Sequence, residues 1–213
     1  MYAPPFFQID RAASLQLAEA RGFGVIIASG STNAPVASPV PYCIGYAADG
    51  SPRVQLHVAR QNPLAEMANA GGTWLLSVMA EDTYVSPDWY ASEAQVPTWL
   101  YQNVQLSGPV RVMTAAELEQ HLVDLSEKFE AWLLPKPPWK VDKIPAARHK
   151  QLTRAIVGID MTVETVIGTT KHNQHKTDAD HVAIANALKQ QPGEAPRAIA
   201  TGMVAARPHL AYE

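Results

Sequence analysis

Apolar positions along the first half of this chain alternate with polar ones, the period expected when one face of a strand is buried. "FGVIIA" (23–28), "PVASPVPYCIGYA" (35–47), "PRVQLHVAR" (52–60) and "TWLLSVMA" (73–80) read as strands. The Asp-Gly of "ADGS" (48–51) marks a hairpin between the second and third of these. A short helix is expected over "QIDRAASLQLAEARGFG", capped by Asp10 and ended at Gly22. Another follows Asn62-Pro63, an N-cap with proline at the first helical position, and closes on Gly71-Gly72.

"WLYQNVQLSGPVRVM" (99–113) reads as one long strand bent near Gly108-Pro109. The period then changes. From Thr114, Leu118, Leu122, Leu125 and Phe129 recur at helical spacing, Thr114 and Glu117 form a capping box, and Pro135 is a stop. After the turn-rich "PKPPWK", "AARHKQLTRAIVG" reads as a helix and "IDMTVETVIGTT" as a strand. "TDADHVAIANALKQQ" is a last helix, capped by Thr177. From Gln191 the pattern thins into what reads as an irregular tail, 191–213. About six strands with interrupting helices suit an antiparallel barrel with flanking helices in one domain, 1–190, rather than a doubly wound parallel sheet.

Composition narrows the class. A hydrophobic content of 47% permits a sizeable core. A net charge of -3 argues against a chain built chiefly to grip nucleic-acid phosphates. The one cysteine, Cys43, sits in an apolar run and reads as a buried hydrophobe suited to a reducing cytosol. No stretch approaches the length of a membrane span, and "MYAPPFFQID" lacks a signal peptide's basic region, so the expected location is cytoplasmic.

Two segments carry candidate chemistry. In "HVARQNP" (57–63), Arg60 stands at a strand end beside a helix start, so guanidinium and backbone N–H groups can converge on a phosphate; a salt-bridging Arg and a core His are the plain alternative. "KHNQHKTDADH" (171–181) holds two lysines, three histidines and two aspartates, but a polar helix start accounts for them and no metal-ligand spacing supports zinc. The stretch "YVSPDWYASEAQVPTWLY" (84–101) adds Trp89 and Trp99, each near a tyrosine (Tyr90, Tyr101) and framed by Pro87 and Pro97. Such rings suit either a flat ligand or the core of a dimer interface.

Taken in order, "MYAPPFFQID", "HVARQNP", "YVSPDWY", "VPTWLY", "WKVDKIP", "LTRAIVGIDM" and "KHNQHKTDADH" resemble the PaiB-like family of FMN-binding negative transcriptional regulators, from Met1 to about Leu188. The resemblance implies an FMN-binding split β-barrel, mainly β with flanking helices, acting as a homodimer with flavin at the subunit seam. It implies flavin contacts from Ser38, His57, Val58, Ala59, Arg60, Asn62, Ser86, Trp89, Trp99, Lys171 and Gln174. If the protein is an enzyme, it is an FMN-dependent oxidoreductase with no acid or base assigned.

Four positions depart from the family pattern: Pro39 for a histidine, Leu56 for a glycine, Leu100 for an asparagine and His175 for an asparagine. They set a second reading beside the first, a module whose pocket is reshaped for another planar ligand such as heme. Direct DNA binding, which the family label suggests, would have to draw on the Lys and Arg gathered between 128 and 154.

Overall fold

The computed structural model describes residues 3–30 and 34–213, so Met1 and Tyr2 of the opening motif lie outside it. Among the described residues there are eight strands: β1 (Gln8–Ile9), β2 (Phe23–Ala28), β3 (Val36–Tyr46), β4 (Pro52–Ala59), β5 (Thr73–Val85), β6 (Thr98–Val112), β7 (Ile156–Thr162) and β8 (Thr165–Lys171). Six α-helices accompany them: α1 (Arg11–Arg21), α2 (Pro63–Ala70), α3 (Ala115–Ala131), α4 (Ala146–Arg154), α5 (Asp178–Lys189) and α6 (Glu194–Ala206). The strands order as β1-β8-β6-β5-β2-β3-β4-β7, with β6 also pairing β7. The pairings with defined register are all antiparallel. The antiparallel sheet with flanking helices expected from the sequence is therefore the architecture found.

The chain falls into two compact units where the sequence suggests one. β5 and β6 run through both, so no linker exists in the sequence to mark a boundary. One unit comprises Ala18–Val78 and Gln105–Val166. In it β2 lies between β3 (Phe23↔Pro41 to Ala28↔Val36) and β5 (Val25↔Ser77), and β4 pairs β3 and β7. Pro39 and Pro41 sit in the stretch of β3 whose defined partner is β2, while β4 takes over from Tyr42, so their missing N–H groups interrupt no β3–β4 pairing. Ile26, Tyr42, Val54, Leu56, Leu76, Leu106, Ile159 and Met161 fill the core. The Thr114–Glu117 capping box of α3 forms as expected.

One detail adds to the sequence reading here and one corrects it. The glycine at 108 answers a close approach: a Cβ there would lie 1.8 Å from the Thr162 carbonyl oxygen. The segment after Gly158 holds two strands, broken at Val163–Glu164, whose N–H groups turn to Pro52 O (2.9 Å) and Ser107 O (3.0 Å). Buried Asp160 ties this unit together. Its carboxylate accepts from Arg53 Nε at 2.8 Å, from Arg53 Nη2, and from Arg111 Nη2 at 2.6 Å; Arg111 also grips Glu117 on α3.

The other unit comprises the chain up to Leu17, Met79–Val104 and Ile167–Glu213. β1 pairs β8 through Gln8↔Thr169 and Ile9↔Gly168. Asp10 caps α1 by accepting from Ala13 N at 2.8 Å. The segment from Gln191, expected to be irregular, carries helix α6, with Ile199, Ala200 and Met203 fully buried against Val85, Leu100, Ile184 and Leu188. Burying each large side chain is worth about 1.5–3 kcal/mol, enough to order an otherwise weak helix. Its two apparent breakers are accommodated. Pro196 falls in the first turn, where its N–H is not needed, and Gly202 packs under His172, whose Cε1 would lie 2.6 Å from an added Cβ.

Candidate functional site

The residues implicated by sequence fall on both units, and each group stands by itself. In the unit containing β4, the strand's alternation turns His57 toward α3, where its Nδ1 lies 3.1 Å from Nε2 of His121. Burial lowers the pKa of both imidazoles, that of His121 to about 4 with His57 adding to the shift. Nδ1 of His121 is buried without a partner. An orphaned lone pair costs less than an orphaned N–H, so we assign the proton to Nε2 of His121, donating to His57. The remaining N–H of His57 is then on its Nε2. Sequence reasoning missed His121, because an apolar helix face with one histidine reads as core.

Arg60 closes β4. Its Nε donates to Arg154 O at 2.8 Å and its Nη2 to Ile156 O at 3.0 Å. Two main-chain carbonyls thus fix an exposed guanidinium while Nη1 carries no bond among the described residues, a preorganised donor for an anion. Asn62 joins Ser38, its Nδ2 donating to Ser38 Oγ at 3.0 Å, which leaves the serine its own O–H to donate.

The helix start is not the anion site its sequence suggests. Asn62 Oδ1 accepts from Leu64 N (3.0 Å), Asn62 O accepts from Ala65 N (2.8 Å), and Pro63 has no N–H. Val58 is buried and pairs with Val157, while Ala59 is exposed and pairs with Ile156. Leu56 is wholly buried opposite Ile159, so that departure from the family pattern fills core. Of the basic residues between 128 and 154, Lys128 turns inward to Glu19 O (2.6 Å), and Lys136 pairs with Glu130.

In the other unit, Ser86 caps a 3₁₀ turn at Pro87–Trp89, accepting from Asp88 N at 3.3 Å. Buried Asp180 of α5 accepts from both N and Oγ of Ser92 at 2.9 Å, pinning the aromatic corner. The two tryptophans part company. Trp89 packs partly buried, with Tyr90, against the Leu100–Ile184–Ile199 core. Trp99 is 53% exposed, edge-on to Tyr84 at 6.3 Å between centroids.

Lys171 Nζ donates to Thr98 Oγ1 at 2.7 Å and lies 5.9 Å from the Tyr101 ring, and burial lowers its pKa. Gln174 is committed at both ends, accepting from His172 N (2.7 Å) and donating to Thr170 O, so it holds its own turn. Leu100 belongs to the core, and His175 packs on Phe6 and Phe7 at 5.3 Å. Leu100 is thus a further departure that fills core, while His175 is exposed.

Among the described residues no group of three or more His, Cys, Asp or Glu side chains could hold a metal, and no helix is long and apolar enough to cross a membrane. Cys43 is buried, and burial raises its thiol pKa despite nearby Lys128.

Comparison with known proteins agrees with this architecture. The family described as "Putative FMN-binding domain" matches residues 1–165. Protease synthase and sporulation protein PAI 2 of Bacillus subtilis is 26% identical over 193 residues, 90% of each chain. In fold, the chain is similar to the FAD and heme binding protein of Mycobacterium smegmatis (TM-score 0.58, 17% identity, covering 77% of this chain and 73% of that one). It is similar also to the flavocytochrome Anf3 of Azotobacter vinelandii (TM-score 0.58, 14% identity, 80% and 72%).

Proposed function

The chain belongs to the family of putative FMN-binding domains, and from that membership we propose that it binds flavin mononucleotide as a homodimer and serves a redox function through it. The observation that carries the reading is Arg60, whose guanidinium is held by two backbone carbonyls with Nη1 free. A phosphate ester suits such a donor, because both N–H groups of Nη1 can reach its oxygens without further ordering of the side chain. The Ser38 hydroxyl, oriented by Asn62, supplies a second donor in the same unit.

In the other unit, exposed Trp99 with Tyr84 offers apolar ring surface of the kind an isoalloxazine covers, and Lys171 with Thr98 offers polar donors. The names of the two fold relatives, one an FAD and heme binding protein and one a flavocytochrome, support a flavin over another planar ligand. When bound, the flavin supplies hydride and electron transfer; the residues named here bind and orient it. Met79, Tyr84 and Trp99 are large apolar side chains left exposed, which supports their burial by a second copy. A regulatory output, which the likeness to a sporulation protein supports, would rest on the same binding.

Titration of FMN fluorescence against the purified protein tests the reading. Arg60→Ala is expected to weaken FMN roughly 10–100-fold, the worth of a charge-assisted contact pair. Light scattering is expected to give twice the chain mass. An unchanged affinity in Arg60→Ala, with the fold intact, would move the phosphate elsewhere.

A further inference from the structure

Behind α3 the fold leaves a cavity of about 840 Å³. Its walls include Leu122 and Val123 of α3, Leu152 of α4, and Trp139, Val141 and Ile144 from the segment that joins the two helices. Of the residues implicated in flavin binding, Ala59 alone reaches it.

The joining segment is latched over α3 at Glu130, and α4 itself meets α3 at Glu119. Glu130 accepts from Trp139 N at 2.7 Å and from Lys136 Nζ, and Glu119 Oε2 lies 3.4 Å from His149 Nε2. With the segment held this way, Val123, Val141 and Leu152 remain 38–42% exposed toward the opening. A set of large apolar side chains kept open by a pinned strap marks a surface that something covers.

Shape and charge say what kind of occupant fits. A concave space of this volume lies within the range of about 300–1,000 Å³ typical of small-molecule sites, rather than being the flat face a protein partner covers. The ionisable residues of the lining oppose one another: Glu119 and Glu127 on the α3 side, Lys140 and His149 on the other. Ser126 and Thr153 spend their hydroxyl protons on Leu122 O and His149 O of their own helices. Lys140 offsets one of the two carboxylates, His149 carries charge only when protonated, and no free hydroxyl donor is left, so the otherwise apolar lining has no cationic excess for an anion.

We propose that this cavity is a second small-molecule site, independent of the flavin, that takes an uncharged and largely apolar molecule of drug size. Its apolar body lies against Leu122, Ile144 and Trp139, and the 132–145 segment forms its roof.

The test uses the full chain with the neutral dye Nile red, beside an anionic dye (8-anilinonaphthalene-1-sulfonate) and a cationic one (rhodamine 6G). Nile red is expected to bind one per chain with blue-shifted, saturable emission, and to quench Trp139. Each of Val123→Trp and Leu152→Trp puts an indole into the opening from an exposed position, and is expected to weaken binding at least about tenfold at unchanged thermal stability. Saturating FMN is expected to leave dye binding unaltered.

Four results would overturn the proposal. If both tryptophan variants bind Nile red normally, the dye sits elsewhere. If FMN displaces it, the cavity is part of the flavin site. If uptake falls as the protein dimerises, the occupant is a second copy. Preference for either charged dye would overturn the ligand class. The dye titrations and the two tryptophan variants do not need FMN to bind, so failure of the flavin reading would leave this one standing.

Discussion

Lowering the pH from about 7 to about 5 should cost this fold several kcal/mol before its carboxylates begin to protonate, because buried histidines must charge. His121 and His172 are each held neutral by burial, with pKa lowered to about 4. In the unfolded chain the same side chain titrates near 6.5, so as pH falls the unfolded state takes up protons first. The stabilisation is complete above about 6.5 and is lost as pH falls toward 4. At about 1.4 kcal/mol per unit, the step from 6.5 to 5 removes about 2 kcal/mol for each histidine, about 4 in total. For a chain of this length that lowers Tm by about 8–16 °C. His57, His175 and His181, whose pKa values burial also lowers, act in the same direction, so the figure is a floor. Calorimetry at the two pH values and constant ionic strength measures the drop. His121→Gln and His172→Gln should each recover about half of it. A drop under about 3 °C, or one that both variants leave intact, would refute the assignment of two neutral buried imidazoles.

The other expectations concern named contacts. Asp160→Asn removes the charge that two guanidinium groups share and should destabilise by about 3 kcal/mol in urea melts, the low end for a buried pair because Arg111 is half exposed. Gly108→Ala drives a methyl into the Thr162 carbonyl and should cost upward of about 3 kcal/mol, whereas Gly30→Ala, with nothing among the described residues within 4 Å, should stay within about 0.5 kcal/mol. Trp99→Ala should weaken FMN roughly 5–50-fold, while the same assay on the folded fraction of Trp89→Ala should show unaltered affinity and lowered Tm, since Trp89 belongs to the core.

Much of the fold was legible because its signals are local. The Asp10 and Thr114 caps, the Asn62-Pro63 start and the Asp-Gly hairpin each lie within a few residues of what they control. What escaped depends on distant partners. Helix α6 looks unformed in sequence because its pattern is thin, and the burial of Ile199, Ala200 and Met203 that orders it depends on partners distant in the chain. The break at Val163–Glu164 has no glycine or proline to announce it, since its N–H groups are satisfied by Pro52 and Ser107 far away in the chain.

The candidate site divides the same way. Residue types at Arg60, Ser38 and Trp99 could be read from motif position. That Trp89, Leu56 and Leu100 face core, that Gln174 holds its own turn, and that His57 meets His121 could not. Of the four departures that set a reshaped pocket beside a flavin site, Leu56 and Leu100 prove to be packing changes.

The central claim is tested most directly by the visible absorption spectrum of the purified protein after FMN is added and the mixture passed through a gel-filtration column. The account predicts oxidised-flavin bands eluting with the protein at the mass of a dimer, and their loss in Arg60→Ala. Protein that elutes colourless, with the flavin left in the small-molecule fraction, would contradict it.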